Sequence, residues 1–529
     1  MKRDTGLSGK KGKAKAWYAL FALVCSFGFW LVPVSAQAAT LKYAEDRLPS
    51  SLNPLYADDM YSVRITELIF ERLIGWNQEQ NPVPVLAASW KVASNKKSIT
   101  LRLRQGVKWH DGKPFTSKDV LFTIKMMRSK RSQVTDRYLN DIIKSVKAKD
   151  AQTVVIAFRK PLNNPVKWLQ FKIIPAHPFK RKGRATRNDV FSQKPIGTGP
   201  YRFHRWVGKR IKMKRFKSHW RKKKAKLKGT LLQAIPDKNI QVEVLRYGGI
   251  DTIVRVRPKD IPVFEKDRNI RLYPYSTNDW WYMAFNHKRS FFKNKKVRQA
   301  FVYALDRDSL RSAHLGDGQV ISGPFSPNDP LYNFSVTART RNLAKAKKLL
   351  NAAGWKVGSG GIRKKGRKVM KVSLLVPKSK DSYKALCIAV QAHLRKVGVK
   401  LEIKWLSDAA WSRFVFRKKK FDMALHIWNF DDLASIYPLF HSRGSRNYIG
   451  FRNKQVDSLL KKANKTTDPA IYKAIYSKLH KLLHDELPYL FLWSLTNYSA
   501  ITSKVKRVTI HPFNFFHFIP NWNKKKSDD

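Results

Sequence analysis

Short strand patterns alternate with amphipathic helix patterns through most of this chain, and this alternation limits its fold more than any other feature. Apolar and polar residues alternate over 99–103, which predicts a strand with one buried face and one solvated face. Residues 154–158, 372–376 and 401–405 are further predicted strands. Strands that alternate with helices are typical of α/β proteins. The sequence therefore predicts an α/β fold.

Capping residues mark several predicted helix boundaries. Residues 116–119 (TSKD) form a capping box, and apolar residues of the segment that follows lie on one helix face. The predicted helices 343–353 and 386–397 are each followed directly by a glycine, which favours a helix end. Asp468 before Pro469 predicts an N-cap with proline at the first helical position.

Length and composition separate this chain from several other classes of protein. Its 529 residues are enough for two or three domains. The formal net charge is +69, but 43% hydrophobic and 12% aromatic residues exclude a disordered polycation, which would lack the apolar mass to fold. Two cysteines, Cys25 and Cys387, exclude a disulfide framework and a cysteine-rich zinc site. A single long apolar stretch excludes a protein that crosses the membrane several times.

Residues 1–38 are predicted to be a secretory signal peptide. Six Lys and Arg precede or begin an apolar segment over 16–34, and Ala36-Gln37-Ala38 fits the small-x-small cleavage pattern. Because the apolar segment is longer than usual, an uncleaved signal anchor is the alternative. Cleavage would leave 100 Lys and Arg against 36 Asp and Glu, a formal charge of +64. We expect an exported protein, in the periplasm or at the outer face of the cytoplasmic membrane.

Motifs of common catalytic and nucleotide-binding sites are missing from the sequence. It contains no GxSxG, HExxH, GxxxxGK(S/T) or GxGxxG pattern. The 13 histidines lack metal-ligand spacing, and Cys387 has no partner nearby in sequence. We expect a protein that is not an enzyme, with no catalytic residues, no metal site and no cofactor.

Four segments resemble the solute-binding proteins of peptide ABC importers, known as bacterial extracellular solute-binding protein family 5. They keep the family's order and spacing across the chain after residue 38. The segments are 106–116 (GVKWHDGKPFT), 195–201 (PIGTGPY), 285–307 (with FN, VRQA and ALDR) and 344–355 (with AKAKKLL and AGW). Each also has a structural interpretation: Gly197 permits backbone geometries closed to other residues, and Arg298 ties its helix to a neighbour. These segments identify the family and not the cargo.

The resemblance implies a two-lobed, hinged fold of the periplasmic-binding-protein (Venus flytrap) type, with mixed sheets. The expected first lobe spans 39–278 and carries an extra subdomain over about 60–190. The expected second lobe spans 279–497, and residues 498–529 return to the first lobe. In such a fold the ligand is enclosed in the cleft between the lobes.

The resemblance also implies a position for the ligand. In peptide-binding members the peptide lies extended, with main-chain hydrogen bonds like those of an added strand, and an acidic side chain of the second lobe captures its α-amino group. That acid follows a strand of the form F-D-x-x-x-x-x-W, which matches residues 421–428 here and points to Asp431 or Asp432. The family's Asp-Pro-Asp is absent, and Pro438 comes later than in the family pattern.

The residues themselves leave two other roles open for Asp431 and Asp432. Either could cap a helical turn that begins near Leu433, or pair with a surface Lys or Arg. The window 421–440 contains no Lys or Arg, which favours a carboxylate that is free to meet a ligand.

Four aromatic residues are candidates for the floor of the cleft. They are Trp280, Trp281, Tyr282 and Trp428. Aromatic side chains suit the pockets that receive ligand side chains. Simple core packing is the competing interpretation for each of them.

Three functions remain possible from the sequence. The first is the exported binding component of an ABC importer, which binds oligo- or dipeptides and delivers them to the permease subunits. The second is the same fold with another cargo, such as a metal chelate, haem or an anionic conjugate. The third is a polyanion-binding envelope protein, which the charge favours. We favour the first, as a monomer with no specific nucleic-acid partner.

Overall fold

A computed structural model of the protein describes 39–78, 81–129, 134, 139–162, 164–180, 183–276, 279–378, 383–428, 436–466, 468–511 and 514–524. The predicted signal peptide, Asp431 and Asp432 lie outside the described residues. Within the described ranges, no helix combines the length and the apolar character that a membrane span needs.

The strands of the described residues are numbered in chain order. The first twelve are β1 (Thr40–Glu45), β2 (Ile74–Trp76), β3 (Pro82–Pro84), β4 (Ala87–Val92), β5 (Ser98–Leu103), β6 (Ile143–Ala148), β7 (Thr153–Phe158), β8 (Tyr201–Val207), β9 (Arg210–Arg215), β10 (Gly229–Ala234), β11 (Thr252–Ile253) and β12 (Ile270–Ser276). The others are β13 (Trp280–Phe285), β14 (Gly318–Val320), β15 (Lys356–Val357), β16 (Arg363–Lys365), β17 (Lys368–Val369), β18 (Lys371–Pro377), β19 (Lys400–Leu406), β20 (Met423–Trp428), β21 (Tyr489–Phe491), β22 (Trp493–Thr502), β23 (Val505–Lys506) and β24 (Asn523–Lys524). The four strands predicted from alternation are β5, β7, β18 and β19, and all four are confirmed.

The helices are numbered in the same way. They are α1 (Met60–Ile69), α2 (Ser117–Arg128), α3 (Leu139–Ile142), α4 (Lys238–Arg246), α5 (Ile261–Glu265), α6 (Ser290–Lys293), α7 (Lys295–Ala304), α8 (Arg307–Leu315), α9 (Leu343–Ala352), α10 (Tyr383–Arg395), α11 (Asp408–Ser412), α12 (Tyr437–Phe440), α13 (Lys454–Lys465) and α14 (Pro469–Glu486). The predicted caps are confirmed, because Asp119 Oδ2 accepts the N–H of Thr116 at 2.9 Å and Asp468 Oδ1 accepts that of Ala470 at 2.7 Å.

The largest sheet has the strand order β12-β22-β11-β1-β10-β9-β8, and β14 pairs with β22 outside this path. Strands β10 and β11 are both parallel to β1, whereas β22 runs antiparallel to β11 and β12. The sheet is therefore mixed. The predicted return to the first lobe at residue 498 falls inside β22, and the lobe boundaries stay a prediction.

A second mixed sheet has the order β19-β18-β20-β13-β21. Strands β18, β19 and β20 are parallel, and β13 is antiparallel to β20 and β21. The antiparallel sheet β4-β5-β7-β6 lies within the span expected for the extra subdomain. Three small sheets, β2-β3, β15-β16-β17 and β23-β24, complete the described sheets.

Strand β13 (WWYMAF) is apolar on both faces because the second sheet is covered on both sides. Its Trp281 and Phe285 join a core that includes residues of α7, α9 and α10. Its Trp280 and Tyr282 join the core on the opposite face, with residues of α13 and α14. A strand that is buried on both sides appears as a continuous apolar run and not as an alternation.

Candidate functional site

The topology brings the carboxyl edges of the two large sheets to one place. In the first sheet β12 is antiparallel to β22 and β22 is antiparallel to β11, so β12 ends at the same edge as β1, β10 and β11. The chain leaves that edge at Ser276 and begins β13 at Trp280, which is paired with Trp428 at the carboxyl end of β20. Ligands of open α/β sheets bind beyond the carboxyl ends of strands. The candidate site therefore lies where these two edges meet the crossing chain.

On the first-sheet side, a buried ion pair lies at the carboxyl end of β1. Arg64 of α1 donates from Nε to Glu45 Oε1 at 2.6 Å and from Nη2 to Oε2 at 2.7 Å. Glu45 is only 4% exposed, and burial raises its pKa although Arg64 acts in the opposite direction. Asp59 caps α1 by accepting the N–H of Tyr61 at 2.9 Å, which fixes where the helix begins.

Charged groups continue along this edge beyond Glu45. The Tyr61 hydroxyl donates to Asp46 Oδ2 at 3.3 Å, and the Arg47 guanidinium lies 5.0 Å from the centroid of the Tyr61 ring. Burial, together with the charges of Asp46 and Glu45, raises the pKa of Tyr61 to about 12. Asp46 is half-buried and already pairs with Lys238, whereas Arg47 is exposed, so this edge offers a cation to a ligand.

On the second-sheet side, aromatic rings surround the end of β20. The rings of Tyr282 and Trp428 are stacked, with centroids 6.2 Å apart and planes at 12°. The hydroxyls of Tyr282 and Tyr448 share a hydrogen bond of 2.7 Å. The Arg446 guanidinium lies 6.0 Å from the centroid of the Trp428 ring. Burial raises the pKa values of Tyr282 and Tyr448, so both stay neutral hydroxyls.

The four predicted aromatic residues do not form one surface. Trp280, Tyr282 and Trp428 belong to one face of the sheet. Trp281 faces the other side, where its ring centroid lies 4.9 Å from that of Tyr383. Trp280, Trp281 and Tyr282 are 1%, 4% and 0% exposed, which agrees with core packing. Trp428 is half-buried. Ligand contact by these residues stays a prediction, and so does ligand contact by Asp431 and Asp432.

The sequence interpretation missed the charged residues on the first-sheet side. Glu45 and Arg64 are 19 positions apart, so no helical or strand periodicity links them. The structure places Glu45 at the end of β1 and Arg64 in the helix that the N-cap Asp59 begins. Among the described residues, no three His, Cys, Asp or Glu side chains are grouped as a metal site would require.

This arrangement, two mixed sheets whose carboxyl edges meet at a crossing chain, defines a two-lobed α/β binding protein. Residues 81–448 match the family described as "Bacterial extracellular solute-binding proteins, family 5 Middle". The chain belongs to this family, whose members are extracellular or periplasmic binding components of ABC importers and not enzymes.

Proteins similar to this chain include one that binds oligopeptides and one solved with a metal chelate. The oligopeptide-binding protein AppA of Bacillus subtilis is 29% identical over 492 residues, covering 90% of this chain and 89% of its own. The structure of that protein with a nonapeptide has a TM-score of 0.77 at 28% identity, covering 93% of this chain and 99% of its own. NikZ from Campylobacter jejuni with Ni(L-His) has a TM-score of 0.78 at 25% identity, covering 92% and 99%.

Proposed function

We propose that this chain captures peptides between its two lobes outside the cytoplasmic membrane and delivers them to the permease of an ABC importer. The observation that carries the proposal is the meeting of the two carboxyl edges at Ser276–Trp280, beside the end of β20. The similarity to an oligopeptide-binding protein over 90% of this chain supports a peptide as the cargo.

In this proposal the lobes are 39–278 with 498–529, and 279–497, after removal of the signal peptide 1–38. The chain crosses between the two sheets after Ser276 and before Trp280, and β22 is the second connection, because it pairs with β11 and β12 of the first sheet and also with β14. Closing the lobes on a ligand adds contacts with both edges that the open form lacks. The protein acts as a monomer and needs no nucleic acid.

The peptide lies extended, and Asp431 or Asp432 receives its α-amino group. Two features support this role. Both residues follow Trp428 at the carboxyl end of β20, and the surrounding sequence window 421–440 contains no Lys or Arg. Trp428 then contacts a ligand side chain, while the fully buried Tyr282 stacks beneath it. In the same arrangement, Trp280 and Trp281 are core residues that hold β13 in place.

A metal chelate is the second candidate cargo. The likeness to NikZ in complex with Ni(L-His) favours it, because NikZ and the peptide-bound relative match this chain with similar TM-scores. A chelate with carboxylate groups would use Arg47 on the first-sheet side and Arg446 on the second.

Retention of a peptide library tests the proposal. The purified chain is mixed with random nonapeptides, and with the same library after N-acetylation, and retained peptides are quantified by mass spectrometry. The wild type should retain the free-amine library at least about tenfold better. Asp432→Asn, or failing that Asp431→Asn, should remove this preference, because loss of a buried charged partner costs about 2–5 kcal/mol.

Asp308→Asn serves as the matched control, since its carboxylate is 73% exposed on α8. It should retain both libraries like the wild type. If both site variants also behave like the wild type, the amine anchor lies elsewhere. If no peptide is retained but Ni(L-His) is, the chelate is the cargo.

A further inference from the structure

The hairpin β8–β9, together with its turn, forms a basic hairpin at one edge of the first sheet. Arg202 lies directly opposite Lys214, and Arg205 lies directly opposite Lys212. Like charges at directly opposite positions of an antiparallel pair destabilise a sheet. The other face of the hairpin is ordinary core, where Ile211 is fully buried. The repulsion is therefore concentrated on the outward face.

No acidic side chain in the neighbouring sequence relieves this repulsion. Between Asp189 and Asp237 the chain has 15 Lys and Arg and no Asp or Glu. Among the described residues, no Lys or Arg of the basic hairpin forms an ion pair. His204 lies in the same field: slight burial and then the charges of Lys214 and Lys212 lower its pKa.

The tip of the basic hairpin adds an apolar group to the charge. Val207 is 64% exposed, next to Gly208 with a φ of 51°. Arg205, Lys209 and Arg210 flank it, and all three are exposed. An apolar side chain surrounded by cations is typical of a surface that enters the headgroup region of a membrane.

The turn of the basic hairpin lies at the carboxyl edge of the first sheet, where the carbonyl of Lys209 accepts the N–H of Ala234 at the end of β10. Six strand-to-strand steps separate β8 from β12, the strand that leads to the crossing chain. At the usual strand spacing this is about 29 Å. Strand β8 is therefore distant from the crossing chain, although the tip of the hairpin is only two strands from Glu45 of β1.

We propose that the basic hairpin docks this protein on an anionic phospholipid bilayer. Arg202, Arg205 and Lys214 contact lipid phosphates, and Val207 enters the interface. The family's extracellular location favours lipid over nucleic acid as the anionic partner, and the apolar tip has no counterpart in phosphate-backbone binding. The proposal does not depend on which cargo the cleft holds.

Vesicle co-sedimentation of the whole chain tests the proposal. The probes are vesicles of phosphatidylcholine with about one quarter phosphatidylglycerol, and vesicles of phosphatidylcholine alone. The wild type should bind only the anionic vesicles, and less strongly as salt rises. The variant Arg202→Gln/Arg205→Gln/Lys214→Gln should lower the partition coefficient by about tenfold or more, since each basic residue near a charged surface contributes severalfold. Val207→Ser should lower it further.

The control removes the same charge from another hairpin. In the sheet β15-β16-β17, Lys356 lies directly opposite Lys364, and Arg367 is in the adjacent turn. Lys356→Gln/Lys364→Gln/Arg367→Gln should lower vesicle binding by less than about fivefold, which is the contribution of one basic residue. Equal losses of vesicle binding in the two variants would show that binding depends on net charge alone. That result would overturn the basic hairpin as the docking site. Absence of wild-type binding to anionic vesicles, or binding to DNA only, would overturn the lipid partner.

Discussion

The ion pair of Glu45 and Arg64 permits a quantitative prediction at the first-sheet side of the site. Replacing Arg64 with Met removes two hydrogen bonds, of 2.6 and 2.7 Å, and leaves a carboxylate that is 4% exposed without its cation. Breaking a buried pair in this way costs about 3–5 kcal/mol. The Arg64 side chain is 13% exposed, which places the cost near the lower end, about 3 kcal/mol.

The assay is calorimetric unfolding at pH 7.5 and again at lower pH. For a lobe of this size the melting temperature should fall by about 6–12 °C at neutral pH. Burial raises the pKa of Glu45 in the folded protein, and removal of Arg64 raises it further. A raised folded-state pKa means stability that is present at low pH and lost as pH rises through that pKa. The deficit of Arg64→Met should therefore shrink as pH falls toward 5.

The double variant Glu45→Gln/Arg64→Met is the control, because it removes the buried charge together with its partner. Its melting temperature should return most of the way to that of the wild type. A single variant that melts within about 2 °C of the wild type, a deficit that grows at lower pH, or a double variant as unstable as the single would refute the reasoning.

Four further outcomes follow from the same structure. Arg298→Met should lower stability by about 3 kcal/mol in thermal unfolding, since Arg298 donates to the carbonyls of Phe292 at 2.7 Å and Leu487 at 3.0 Å; Arg298→Lys should cost less. Gly197→Ala should prevent folding in an expression assay, because its Cβ would lie 1.8 Å from a backbone oxygen, whereas Gly208→Ala, with open space, should cost about 1–2 kcal/mol. Ligand affinity measured by calorimetry should change less than about threefold between low and high salt, unlike vesicle binding. Saturating peptide should reduce the radius of gyration in solution scattering, and an unchanged profile would contradict lobe closure.

Much of the fold could be predicted because its signals are local. Capping boxes, C-terminal glycines and strand alternation act within a few residues, and they located α2, α9 and β5 correctly. Helix α10 spans Tyr383–Arg395 among the described residues, whereas the sequence predicted 386–397, and Tyr383 packs on Trp281 of a distant strand. Helix boundaries that depend on such packing leave no mark in local sequence.

Two structural interpretations had different outcomes. Arg298 does tie its helix to a neighbour, since it donates to carbonyls at the end of α14. The reason given for Gly197 was incomplete: its φ is not left-handed, and the requirement is the close approach of the Ile69 backbone. Sequence alone cannot distinguish a glycine needed for φ from one needed for space.

The candidate site was less predictable than the fold. The pair of Glu45 and Arg64 forms only when β1 and α1 pack against each other, and no local sequence pattern indicates that these two residues are partners. The double tryptophan of β13 looked like one aromatic surface, but successive strand residues point to opposite faces, so Trp280 and Trp281 are separated.

Native mass spectrometry of the protein as it is isolated from its own host tests the central claim most directly. We predict a set of masses above that of the bare chain, and dissociation of the complex should release molecules whose fragments form peptide sequence ladders. A single released species with the isotope pattern of a metal chelate, and no peptide ladder, would contradict the assignment of peptides as the cargo.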